Sequence, residues 1–235
     1  MLILCNPHNP VGKIWDRETL ERIGELCFKH HVLVLSDEIH CDITRPGMEY
    51  IPFASVSEHC KNNSITCVAP TKTFNLAGLQ TAAVIVPDAA LRHRVNRGLN
   101  TDEVAEPNVF AAIAPIAAFD RGREWLEELR EYLWENRKFA EDFIREEIPE
   151  LRTVSADATY LLWIDCNALP GDLSELAEFI RKESGLYVCD GREYGNGYGF
   201  LRMNLAYRRE LLKEGLERLK RSIHSYRKGI SNGII

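Results

Sequence analysis

Ala69-Pro70-Thr71-Lys72-Thr73-Phe74-Asn75-Leu76-Ala77-Gly78-Leu79-Gln80 follows directly on the apolar run Ile65-Thr66-Cys67-Val68. Upstream, Ser36-Asp37-Glu38-Ile39-His40 follows Val32-Leu33-Val34-Leu35. Further upstream, Asn6-Pro7-His8-Asn9-Pro10-Val11-Gly12 follows Leu2-Ile3-Leu4-Cys5. Three strand-like runs each end in a polar loop with reactive groups, and open α/β sheets bind ligands at the carboxyl ends of their strands. An amine, a carboxylate and an amide delivered in this way could hold an aromatic aldehyde. A lysine can form a Schiff base with it, and a carboxylate can keep a ring nitrogen protonated.

Strand and helix signals alternate outward from these loops. Asp16 caps a predicted helix through about His30, with Leu20, Ile23 and Cys27 on one face. Strands are expected at Leu2–Cys5, Val32–Ser36, Ser64–Ala69 and 81–86, the last buried and closed by Pro87. A helix from Asp88 to about Arg97 follows. This alternation implies a mostly parallel sheet covered on both faces. One long helix is read from Arg123 to Glu147, with Leu126, Leu129, Leu133, Ala140 and Phe143 in register and Pro149 beyond its end. Then come a strand at 159–165, a helix from near Asp172, a strand at 200–205 and a closing helix from Arg209 to Tyr226. The expected organisation is a large α/β part over residues 1–122 and a small α+β domain over 123–235. The tail Gly229–Ile235 is read as frayed.

Composition is that of a soluble globular chain: 45% apolar and 27% charged residues over 235 positions. The net charge of −6 argues against a nucleic-acid partner. No apolar run approaches membrane-spanning length. Met1–Cys5 reads as a buried strand, not a signal peptide. Seven cysteines without a CxxC pair give no metal-site or redox framework, so reduced thiols in a cytoplasmic protein and no bound metal are expected. The glycines at 195, 197 and 199 lack the strand-before, helix-after setting of a nucleotide loop.

The three loop segments, in this order, resemble the pyridoxal-phosphate (PLP) core of the class I/II aminotransferases, fold type I. They are most similar to the cystathionine β-lyase, or C–S lyase, branch. The resemblance implies that Lys72 bears the cofactor as a Schiff base and then acts as base on the substrate Cα proton. It implies that Asp37 pairs with the pyridine nitrogen and that Asn9 donates to the phenolic oxygen. Thr71, and more weakly Thr73, would reach the phosphate. Arg202 resembles the clamp for the α-carboxylate of an amino-acid substrate, since a guanidinium fork matches a carboxylate bidentately. Tyr160 and Trp163 look like the family's Thr-Tyr-Leu-x-Trp strand, either packing or lining the pocket.

Two departures point to the lyase branch. His40 stands where the aminotransferases carry a tyrosine at the cofactor, and Gln80 stands where many carry a phosphate-binding arginine. Tyr50 replaces a histidine of that branch. The implied reaction is β-elimination on a sulfur amino acid, giving pyruvate, ammonia and a thiol. Alternatives are transamination, or a non-catalytic fragment of such an enzyme. The resemblance further implies that the chain is the carboxyl-terminal part of an enzyme that is a homodimer when whole, and that alone it holds PLP weakly.

Overall fold

A computed structural model describes residues 1–232. Its first half begins with strand β1 (Leu2–Cys5), helix α1 (Arg17–Lys29) and strand β2 (Val34–Asp37). The short helix α2 (Glu58–Asn62), strand β3 (Ser64–Val68), the single turn α3 (Pro70–Thr73) and strand β4 (Ala83–Ile85) follow. The order in the sheet is β1-β2-β3-β4. The first three strands run parallel, with Cys5 beside Asp37 and Asp37 beside Cys67, and β4 is antiparallel to β3.

Side chains alternate across this sheet, as the strand period requires. Leu4, Val34, Ser36, Ser64 and Thr66 point to the buried face. There Leu4 and Val34 join Leu20 and Cys27 of α1, together with Phe53 and Cys60, in one core. The Asp16 carboxylate starts α1 by accepting from the Thr19 amide at 2.7 Å. Gly24 lets α1 come close to Cys60, for a Cβ there would lie 2.2 Å from the Cys60 sulfur. The opposite face is open. It carries Cys5, Leu35, Asp37, Ile65 and Cys67, all half-buried, and Ile3, which is 65% exposed. The expectation of a sheet covered on both faces is thus corrected among the described residues. The buried strand expected at 81–86 is corrected too: β4 is shorter and exposed, with Val84 and Ile85 at 39% and 49%, and it is an edge strand of the sheet.

Helices α4 (Ala89–Thr101) and α5 (Phe110–Arg121) follow β4, and the sequence reading has no counterpart for α5. Its run Phe-Ala-Ala-Ile-Ala-Pro-Ile-Ala-Ala-Phe is apolar all round, so it shows no period. Helix α6 (Arg123–Glu147) has the predicted bounds.

The chain divides into two units: Met1–Asn9, Lys13–Arg130 and Asp157–Thr159 in the first; Pro10–Gly12, Glu131–Ala156 and everything from Tyr160 onward in the second. The division falls inside α6. In the second unit a sheet of order β5-β6-β8-β7 is wholly antiparallel. Its strands are β5 (Arg152–Thr153), β6 (Leu161–Asp165), β7 (Cys189–Asp190) and β8 (Phe200–Asn204). Helices α7 (Leu176–Ser184) and α8 (Arg209–Ser231) complete it. Leu162, Ile164, Leu201 and Met203 of the sheet pack with Ala140 and Ile144 of α6, Ile180 of α7, and Leu212, Leu216 and Leu219 of α8. Helix α8 continues through Gly229 and Ile230, where fraying was expected, because Ile230 packs against this core. Residues 233–235 of that expected tail lie outside the described residues.

Candidate active site

Because β1, β2 and β3 are adjacent, parallel and in register, their carboxyl ends lie side by side. Asp37 is the last residue of β2, Asn9 lies four positions after β1, and Lys72 lies four positions after β3. The fold therefore brings these three predicted residues to one edge of one sheet. Proline at the first position of α3, whose missing amide hydrogen costs nothing there, turns the chain sharply after Ala69 and sets Lys72 on that turn.

Each of the three is half-buried. The Asp37 carboxylate accepts from the Ile39 backbone amide at 3.3 Å, and the Asn9 backbone N–H donates to the Cys5 sulfur at 3.5 Å. Among the described residues the Lys72 ammonium makes no hydrogen bond or ion pair. Thr71 is half-buried, and its carbonyl accepts from the Leu76 amide at 3.1 Å. Thr73 is fully buried, and its hydroxyl donates to Asp42 Oδ2 at 2.9 Å, so that hydroxyl is already committed. His40 is buried just past β2, and Gln80 is exposed with a left-handed φ of 49°.

Burial raises the thiol pKa of Cys5 and of Cys67, with the Asp37 charge adding to it, and holds Cys41 at about 12. These thiols stay protonated near neutral pH and are poor nucleophiles.

Arg202 belongs to the second unit. It lies on β8, paired with Trp163 of β6 on one side and Cys189 of β7 on the other. Its guanidinium carbon sits 4.7 Å from the Tyr194 ring centroid, and Nη2 is 3.2 Å from the Cys189 sulfur. Trp163 stacks on Phe200 at 5.1 Å and meets Tyr194 edge-on at 5.8 Å, so it supports the platform on which Arg202 rests. Burial raises the Tyr160 hydroxyl pKa, and the Arg202 charge offsets part of that. The loop 195–199 leads into β8 with Gly195 and Gly199 both at φ 75°, which explains its glycines without a phosphate ligand.

The sequence reading missed a buried polar cluster behind the strand ends. Asn6 is fully buried: Oδ1 accepts from the Trp15 amide at 3.2 Å and Nδ2 approaches the Tyr50 hydroxyl at 3.3 Å. The Tyr50 hydroxyl donates to the Asn6 carbonyl at 2.8 Å. Glu38 is 2% exposed, its Oε1 accepting from the Ser36 hydroxyl at 2.9 Å and from the Phe53 amide at 3.0 Å. One signal was available in the sequence. Continuing the strand period past Val34 and Ser36 places Glu38 and His40 on the buried face and Asp37 on the open one.

A lysine amine, a carboxylate and an amide at adjacent strand ends form a donor set that fits pyridoxal phosphate. Among the described residues no group of three or more His, Cys, Asp or Glu side chains is placed to hold a metal ion. No described helix is long and apolar enough to cross a membrane.

The family model "Aminotransferase class I and II" matches residues 1–219. Cystathionine beta-lyase PatB of Bacillus subtilis is 41% identical over 224 residues, covering 95% of this chain and 58% of the relative. A PLP-bound protein from Clostridium difficile 630 superposes with a TM-score of 0.91 at 40% identity, over 94% of this chain and 57% of that one. Cystalysin from Treponema denticola, solved with pyridoxal 5'-phosphate, gives 0.87 at 31% identity, over 96% and 57%. The chain thus spans somewhat more than half the length of the relatives it matches.

Proposed function

The chain belongs to the class I and II aminotransferase family, and from that premise we propose that it is part of a PLP-dependent C–S lyase that eliminates thiol from a sulfur amino acid. The observation that carries the reading is the alignment of Asn9, Asp37 and Lys72 at the carboxyl ends of three in-register parallel strands. The 41% identity to a cystathionine β-lyase supports the choice of reaction.

When bound, pyridoxal phosphate supplies an electron sink for the pair left on the substrate Cα. Lys72 would hold the cofactor through its aldehyde, and its Nζ would take the substrate Cα proton. Asp37 keeps a proton on the ring nitrogen, because an anion at hydrogen-bond distance raises that nitrogen's pKa. Asn9 would donate to the phenolic oxygen, His40 would belong to the cofactor's surroundings, and the Thr71 hydroxyl would serve the phosphate. Arg202 clamps the substrate α-carboxylate. The Cβ–S bond then breaks with its electron pair on sulfur, and hydrolysis of the released enamine gives pyruvate and ammonia.

Transamination is the second reading, supported by the family's breadth: it shares the steps through Cα deprotonation and differs in where the proton returns. The whole enzyme is read as a cytoplasmic homodimer. Incubation of the full-length parent with cystathionine, without any keto acid, is expected to release pyruvate and free thiol. Dominant glutamate formation from an amino acid and 2-oxoglutarate would reverse the assignment.

A further inference from the structure

We propose that the loop Gly191–Gly199 is a positioning device for Arg202: it folds back to hold the Tyr194 ring against the guanidinium, so that the fork already has its plane when a substrate carboxylate arrives. This rests on the reading of Arg202 as the substrate clamp, and it gives the loop's glycines a task in that clamp. The loop leaves β7 at Asp190 and enters β8 at Phe200. Between those ends it closes on itself. Gly191 and Gly197, both buried, lie backbone against backbone. A Cβ on Gly191 would stand 2.1 Å from the Gly197 carbonyl oxygen, and a Cβ on Gly197 would stand 2.1 Å from that of Gly191. Neither position has room for a side chain, so any other residue there would push the two ends of the turn apart.

The closure decides where Tyr194 goes. Arg192, Glu193, Gly195 and Asn196 around it are exposed, whereas Tyr194 is half-buried and turned inward. Its ring meets Trp163 edge-on at 5.8 Å, and the Arg202 guanidinium carbon lies over it, 4.7 Å from the centroid. Trp163 is itself stacked flat on Phe200, with 7° between the rings. Two outer bonds brace the turn. Arg192 binds the Asp190 carboxylate through Nε at 3.1 Å and Nη2 at 2.7 Å, and donates to the Ser174 carbonyl. The Tyr198 hydroxyl donates to Asp172 Oδ1 at 3.0 Å and accepts from the Leu173 amide at 3.1 Å. A cation is attracted to the face of an aromatic ring. The Tyr194 face and the bond from Arg202 Nη2 to the Cys189 sulfur at 3.2 Å together set the guanidinium plane. A guanidinium ordered beforehand gives up less freedom when it grips a carboxylate, so the loop acts on binding and not on bond breaking.

The first readout needs neither cofactor nor substrate. In NMR spectra of the 235-residue chain the Arg202 Hδ and Hε protons are expected upfield of their unfolded positions, moved by the Tyr194 ring current. Tyr194→Phe keeps the ring and should keep the shift. Tyr194→Leu should lose it, and so should Gly197→Ala, which opens the loop without touching the ring. Should Gly197→Ala not fold, Tyr198→Phe takes its place as a milder loosening of the same loop, with part of the shift lost. Arg202 protons unmoved by Tyr194→Leu would overturn the ring contact, and a full shift in the loop variant would overturn the role of the loop. The second readout is steady-state kinetics of the full-length parent with cystathionine. Tyr194→Leu is expected to raise KM about 3–10-fold, the scale of a partly exposed cation–π contact, with Tyr194→Phe near wild type. Since uniform binding is what is lost, kcat should stay within about twofold. A fall in kcat at unchanged KM would overturn the positioning role. An Arg202→Gln enzyme with the KM of wild type would count against the clamp reading and not against the loop, which the spectra judge separately.

Discussion

The Thr73 hydroxyl donates to Asp42 Oδ2 at 2.9 Å, joining the turn that carries Lys72 to the segment that follows Asp37. The bond links the end of β3 to the end of β2 through buried Thr73, 31 residues from its partner. It gives the hydroxyl a positioning task in place of the phosphate contact expected for it.

Thr73→Val keeps the shape and removes the donor, leaving a partly buried carboxylate oxygen unpaired. Loss of stability of about 1–3 kcal/mol is expected. Denaturant unfolding measures it, and Thr73→Ser should recover most of the loss. Full stability in the valine variant would show that the bond does not form in solution.

Lys72 is expected to be the lysine that bonds PLP. Incubating the chain with cofactor, reducing with borohydride and mapping the modified peptide should place the label within residues 69–80. A label on another lysine would remove Lys72 from the role.

Asp37→Asn in the full-length parent should lower turnover by about 10²–10³-fold, the scale expected when a group aimed at developing charge is removed. The reducible bond at Lys72 should persist, since the amide fits the same space. Turnover near that of wild type would dismiss the ring-nitrogen assignment.

Asn136 on α6 donates to the carbonyls of Leu205 and Tyr207, both at 2.9 Å, and accepts from Arg209 Nε at 2.7 Å. It fixes the connection from β8, the strand of Arg202, into α8. Asn136→Ala removes three bonds at a fully buried site, and a loss of about 3 kcal/mol is expected, taking about 1 kcal/mol for each. Chemical denaturation checks this, and a loss below about 1 kcal/mol would mean that water replaces the side chain.

On α5, Phe110, Ile113, Ile116 and Phe119 are all more than half exposed. Large apolar side chains exposed together on one helix favour association. Sedimentation of the isolated chain is expected to show self-association that rises with concentration and weakens in an Ile113→Glu, Ile116→Glu double variant. A monomer at all concentrations would contradict it.

The sequence by itself determined the elements whose signals are local. The strand-like runs Leu2–Cys5, Val32–Ser36 and Ser64–Ala69, the Asp16 cap, the helical spacing of Leu126, Leu129 and Leu133, and the polar loops bearing Asn9, Asp37 and Lys72 are all properties of neighbouring residues. Helix α5 escaped because an all-apolar helix has no period, and β5 and β7 because two residues make no pattern. Tertiary structure alone decided what lies far apart in the chain. It set Asp37 level with Cys5 and Cys67, left β4 uncovered, gave the Thr73 hydroxyl to Asp42, and buried Glu38 behind Tyr50 and Asn6. The physical reason is range. Side-chain period and capping act over three or four residues, whereas burial and hydrogen-bond partnership depend on which distant segments the folded sheet brings together.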